Sequence, residues 1–147
     1  SPLGHIELKP WNDVMAINVT ANFQLIRCMD PLLRVSDAGR AVFVTSGAAV
    51  APDDRWGIYD ISKAALNALV ITWARELADS PAKANLLRPG PVRTAMRAAA
   101  MPGEDPTTVP AAAEVAAVVA DMCEARCAAN GEIIRYRPPL PSSAVPV

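Results

Sequence analysis

Two hydrophobic periods alternate along the chain. Over residues 10–33, Val14, Ile17, Ala21, Leu25, Cys28 and Leu32 recur at steps of three and four, the spacing of one face of an α-helix. Pro10 stands near the start, where a missing N–H costs little, and Pro31 is expected to end or kink the last turn. A polar Ser36-Asp37-Ala38-Gly39 cluster predicts a turn. Residues 41–45, Ala-Val-Phe-Val-Thr, are then nearly all apolar and partly β-branched, which predicts a strand covered on both faces, as in a parallel sheet flanked by helices.

The same alternation continues to the end. A loop over residues 47–57 leads to a helix over about residues 58–79, rich in Ala and Leu. A second strand over residues 84–87 is stopped by Pro89-Gly90-Pro91. Residues 93–110, rich in Met, Pro, Gly and Thr, are expected to form a mobile surface segment with one or two helical turns over residues 94–100. A helix over residues 110–128, a break at Gly131 and a third strand over residues 132–136 follow, and residues 138–147 read as a Pro/Ser-rich tail. Helices alternating with short apolar strands predict right-handed crossover units and a parallel α/β sheet.

Composition narrows the classes of function. With 147 residues, 52% hydrophobic and 20% charged, the chain has enough apolar material for one packed core and too little charge for a disordered chain. A net charge of -1 leaves no basic surplus for nucleic acid or an anionic membrane. No apolar run approaches the roughly 18 to 20 residues of a membrane span, and residues 1–10 lack a signal-like apolar stretch, so a cytoplasmic protein is expected. Cys28, Cys123 and Cys127 form no CxxC or Cys/His cluster. Cys123 and Cys127 lie four apart on the predicted last helix and could face the same way, and for this pair packing as small hydrophobes is expected rather than redox or metal chemistry.

The chemistry concentrates around one pair. Tyr59 and Lys63 are four apart at the start of the second long helix, hence one turn apart on one face. A phenol titrates near about 10, and a neighbouring ammonium favours its ionised form, which makes proton exchange near neutral pH feasible. Ser46 follows the first strand directly, thirteen residues before Tyr59, at the strand end where parallel sheets place ligand-contacting groups. Asn18 is an amide within a helical pattern, suited either to bonding back to the helix, to facing solvent, or to a buried water network. After the second strand, Pro89 and Gly90 turn the backbone so that the Val92 amide and the Thr94 hydroxyl approach the same region. Trp56, Met96 and Met101 suit either an apolar or bulky ligand or plain packing, and Arg93 and Arg97 could meet an anionic group, although solvated surface arginines are the expected reading.

Asn18 in INVTANF, Ser46 in VFVTSGAA, Tyr59 and Lys63 in YDISKAAL, and NLLRPGPVRTAM from Asn85 to Met96 resemble, in order and spacing, the short-chain dehydrogenases/reductases. The segments PWNDVMAINVTANF and RTAMRAAAMPGEDP are similar to a bacterial oxidoreductase subgroup of that family. The resemblance implies part of a Rossmann-like, doubly wound parallel sheet and an NAD- or NADP-dependent oxidoreductase that interconverts a carbonyl and an alcohol. By it, Tyr59 would be the general acid/base and Lys63 would lower its pKa and hold the nicotinamide ribose. Ser46 would orient the substrate oxygen, and Asn18 would hold a water that links Lys63 to solvent. Pro89, Gly90, Val92 and Thr94 would line the nicotinamide pocket, and the two long helices would form a homo-oligomer interface.

The glycine-rich strand-turn-helix that binds pyrophosphate in this family is missing from the sequence. Residues 1–137 are therefore expected to correspond to the C-terminal, catalytic half of the family domain, starting after its fourth strand. Loss of a neighbouring strand is expected to leave residues 41–45 at an unpaired edge, with marginal stability or self-association. The alternative to an enzyme half is a non-enzymatic dimerisation module with a vestigial site.

Overall fold

A computed structural model of the chain describes residues 2–54 and 56–137. Helix α1 (Leu8–Met15) runs through a π-helical turn (Ala16–Thr20) into α2 (Ala21–Val35), and β1 (Arg40–Val44) follows. Then come α3 (Gly57–Glu76), β2 (Lys83–Arg88), the short α4 (Ala95–Ala100), α5 (Ala112–Cys123) and β3 (Ile133–Arg135). The sheet has the order β1-β2-β3, and both pairings are parallel. Val42 stands opposite Asn85, and Leu86 opposite Ile133.

The strand period of two sorts the core into two layers. On one face, Ala41, Phe43, Ala84, Leu86 and Ile133 pack with Ile26 of α2 and with Leu66, Val70, Trp73 and Ala74 of α3. On the other, Val42, Leu87 and Ile134 pack with Val115, Val118, Val119 and Met122 of α5. The Phe43 and Trp73 rings meet edge to face, with centroids 6.2 Å apart. The connection into β3 is closed by two side-chain amides. Asn85 Nδ2 donates to Ala129 O and its Oδ1 accepts from Glu132 N, while Asn130 Oδ1 accepts from Ala84 N and its Nδ2 donates to Ala74 O. Full pairing of these amides lets Asn85 sit buried in the middle strand without a desolvation penalty.

Several expectations are corrected. Pro31 does not end the helix: α2 continues through it to Val35. Pro31 has no N–H to donate, and Arg34 binds Asp30 across the same turn through its Nε. The last helix stops at Cys123, so Cys127 lies beyond it, and Cys123 is exposed rather than packed, with Cys28 exposed as well. Within residues 93–110, the helical turns expected over residues 94–100 form as α4, and a 3-10 turn (Pro106–Thr108) and a bridge between Arg93 and Ala111 add further structure. β1 is only partly covered, and Val44 at its end is 52% exposed. The proposed tail at residues 138–147 lies outside the described residues.

Candidate active site

All three layers meet at the C-terminal ends of β1 and β2, where a cleft of about 830 Å³ opens. Its lining includes Asn18, Ser46, Tyr59, Lys63, Pro89, Gly90, Val92 and Thr94, brought together from four separate parts of the chain. The crossover connections cause this convergence, since each parallel strand must deliver its following loop to the same edge of the sheet.

Tyr59 and Lys63 occupy the first two turns of α3. Lys63 Nζ lies 5.8 Å from the Tyr59 ring centroid and donates to Val44 O at 3.0 Å, at the end of β1. Burial pushes the Lys63 ammonium below its usual value by penalising its charged form. Trp56 sits edge-on to Tyr59, with ring centroids 5.6 Å apart, and walls the same cleft. Thr45 is buried beneath the site, where its hydroxyl donates to Asn67 Oδ1 of α3 at 2.5 Å and its N–H donates to Leu87 O.

Ser46 starts the 3-10 turn Gly47–Ala49, and its Oγ accepts from Ala48 N at 3.3 Å. The Arg88 guanidinium lies close over the next residue: a Cβ on Gly47 would come 2.5 Å from it and would require the arginine side chain to shift. After β2, Gly90 adopts φ +72°, the left-handed region that glycine enters freely, and turns the chain toward Val92 and Thr94. The Thr94 hydroxyl is already engaged as the cap of α4, accepting from Arg97 N at 3.2 Å.

Asn18 lies inside the π-helical turn, a local widening of the helix that is often found at functional sites. Its half-buried side chain bonds across to α3 rather than back to its own helix. Nδ2 donates to Ser62 Oγ at 2.9 Å, and Ser62 Oγ in turn donates to Tyr59 O at 2.8 Å. Asn22 Nδ2 donates to the Asn18 carbonyl at 2.9 Å. Sequence reasoning passed over Ser62, Asn22 and the π-helical turn. The only signals were the placement of Ser62 three residues after Tyr59 and of Asn22 four after Asn18, both helical neighbours. Arg97, expected to be solvated, instead makes a two-pronged ion pair with Glu104 at 2.6 and 2.7 Å. That pairing holds the Glu104 carboxyl below, and the Arg97 guanidinium above, their usual values. Met96 and Trp56 line the cleft. Among the described residues no group of three or more His, Cys, Asp or Glu is suited to a metal ion, and no helix is long and apolar enough to cross a membrane.

A fold of this topology, with a Tyr and a Lys one turn apart beneath a Ser at a strand end, has clear relatives. The short chain dehydrogenase family model matches residues 1–105, and the chain belongs to that family. It is 38% identical over 114 residues to the uncharacterised oxidoreductase YciK of Escherichia coli K12, a match covering 78% of this chain and 45% of YciK. The crystal structure of a short-chain dehydrogenase from Salmonella enterica serovar Typhi CT18 superposes with a TM-score of 0.88 at 32% identity, covering 94% of this chain and 57% of that one. A short-chain dehydrogenase from Escherichia coli CFT073, solved in complex with NADPH, superposes with a TM-score of 0.86 at 33% identity over 93% of this chain and 57% of its own. The chain thus spans about half the length of these relatives.

Proposed function

We propose that the chain carries the proton-transfer and nicotinamide-side half of an NAD(P)-dependent oxidoreductase that interconverts a carbonyl and an alcohol. The observation that carries this reading is the single cleft shared by Tyr59, Lys63 and Ser46 at the C-terminal ends of the strands. The solved relative complexed with NADPH supports the choice of cofactor class.

The residues suit the nicotinamide end of such a cofactor. The turn at Gly90 has open space where a side chain would project, so a flat ring can approach the backbone there. Pro89, Gly90, Val92 and Thr94 would hold the ring, and Lys63 together with Tyr59 would hold its ribose. Bound there, the cofactor supplies or accepts the hydride.

The chain's own groups handle the proton and the geometry. In the reducing direction, Tyr59 Oη donates a proton to the substrate oxygen as negative charge develops on it; in the oxidising direction it takes that proton back. Lys63 stands beside the ring as a fixed positive charge, tethered by Val44 O so that it cannot swing away. The Ser46 hydroxyl orients the substrate oxygen, at the cost of its weak bond to Ala48 N. Asn18, through Ser62, braces the backbone of Tyr59 and is the residue that would hold a water leading from Lys63 to solvent. The exposed apolar side of α2 is the candidate contact in a homo-oligomer.

The test is Tyr59→Phe in a version of the protein that also carries a pyrophosphate-binding half, assayed on carbonyl compounds with NADH and NADPH. Loss of one proton donor is expected to lower kcat by about 100- to 10,000-fold while the fold survives. Full activity in a folded Tyr59→Phe protein would rule out the proton-transfer role.

A further inference from the structure

Asp60, directly after Tyr59, is 3% exposed and has no role in the chemistry above. Buried carboxylates are costly unless paired, and this one is only half paired. Its Oδ2 accepts from Asp53 N at 2.7 Å, whereas Oδ1 is closed to solvent and has no hydrogen-bond partner among the described residues. An orphaned buried oxygen beside an active-site tyrosine calls for a reason to keep the group.

That reason lies in the loop it holds. The loop between β1 and α3 supplies Gly47, Ala48, Ala51, Asp53 and Trp56 to the cleft lining. Its last part is a turn in which Trp56 N donates to Asp53 O at 3.2 Å, and Asp60 N donates to Trp56 O at 3.0 Å. Asp60 therefore grips both ends of this turn, with its carboxylate on the Asp53 amide and its own amide on the Trp56 carbonyl. Only the first of these grips depends on the side chain, and it joins the cleft wall to the first turn of α3. Trp56, at the end of the turn, lies against the Tyr59 ring.

We propose that Asp60 is a positioning residue, which fixes Asp53 and, through the Asp53–Trp56 hydrogen bond, Trp56 as the substrate-side wall of the cleft and thereby keeps Trp56 against Tyr59. The proposal rests on Tyr59 being the proton-transfer group, but the wall itself is read independently of activity. Truncation should release the wall without touching the reacting groups, so binding of the carbonyl suffers more than the chemical step.

The experiment compares Asp60→Ala and Asp60→Asn by hydrogen–deuterium exchange and by steady-state kinetics with NADPH and a panel of carbonyl compounds. In Asp60→Ala, exchange across residues 51–58 is expected to accelerate by about tenfold, the scale of one hydrogen bond to a charged group, with β1 and β2 unchanged. KM should rise about tenfold and kcat by comparison change little. Asp60→Asn, whose amide oxygen can still accept from Asp53 N, should recover both readouts. Unchanged exchange in Asp60→Ala overturns the proposal. So does release of the turn in Asp60→Asn to the same degree, because that would assign the effect to charge at the helix start rather than to the bond. If Asp60→Ala unfolds as a whole, Asp60→Asn decides alone by keeping or losing protection of residues 51–58. The exchange result judges the wall whether or not carbonyl reduction is detected, whereas full activity of a folded Tyr59→Phe protein would overturn the functional reading alone.

Discussion

β1 and β2 are both short, apolar strands, yet they live in different surroundings. Ala84, Asn85, Leu86 and Leu87 of β2 are all buried, with a strand on each side and helices on both faces. Among the described residues β1 has a strand on one side only, and it is half-buried up to Phe43 and exposed at Val44. The helices repeat the contrast. α3 buries seven residues, among them Leu66, Val70 and Trp73, whereas α2 buries only Ile26 and exposes Phe23, Leu25, Met29 and Leu32. An apolar run states what a segment tolerates around it, while its neighbours decide how much of that it receives. Folding energy should therefore concentrate in β2 and α3, and association should be driven from α2 and the free edge of β1.

The largest effect that separates the two regions is expected from Leu86→Ala. Removing a fully buried side chain from the middle strand should cost about 3 kcal/mol in chemical denaturation. A loss under about 1 kcal/mol would mean that the centre of the sheet is no better packed than its edge.

Trp73→Phe sits at the join between the regions and should cost about 2 kcal/mol, from lost volume and a lost hydrogen bond. Trp73 Nε1 donates to Asp30 Oδ1 of α2 at 2.7 Å, and Arg34 binds the same carboxylate. The bonds from Arg34, then Trp73, hold the Asp30 carboxyl below its ordinary value of 3.8. Because the folded value is the lower one, this contribution is complete above pH 3.8 and disappears as the pH falls through the depressed value. The stability gap between parent and Trp73→Phe should accordingly narrow on acidification below that point, as melting temperatures at a series of pH values will reveal. A gap that widens in acid would contradict the assignment.

The smallest stability change is expected from Leu32→Ser on α2. With Leu32 61% exposed, it should move stability by no more than about 0.5 kcal/mol. Its effect should appear instead in sedimentation velocity, as weaker self-association. A large loss of stability without any change in association would show that the apolar side of α2 is covered within one chain.

Much of the site was legible in the sequence because its chemistry is local. The four-residue step from Tyr59 to Lys63 needs only a helix to put both on one face, and a helix was readable from the Ala- and Leu-rich pattern around them. Pro89 and Gly90 announce a turn through their own backbone preferences, and Gly90 does take up a positive φ. The brace from Asn18 through Ser62 was not legible. It joins residues 44 apart and depends on a π-helical turn that no period reports. Pro31 counts against a helix locally through its missing donor, yet α2 continues four residues past it, with Leu33 packed against the core that α3 shares.

What the sequence by itself determined is the alternation of helix and strand, the parallel arrangement this forces, and the residue types gathered at the strand ends. These follow from short-range rules of side-chain period and backbone freedom. Only the tertiary structure decided which apolar run is buried, where Asn18 and Asp60 find their partners, and that Arg97 is paired rather than solvated. Burial and long-range hydrogen bonds depend on how distant segments meet, and a chain read one neighbourhood at a time does not carry that information.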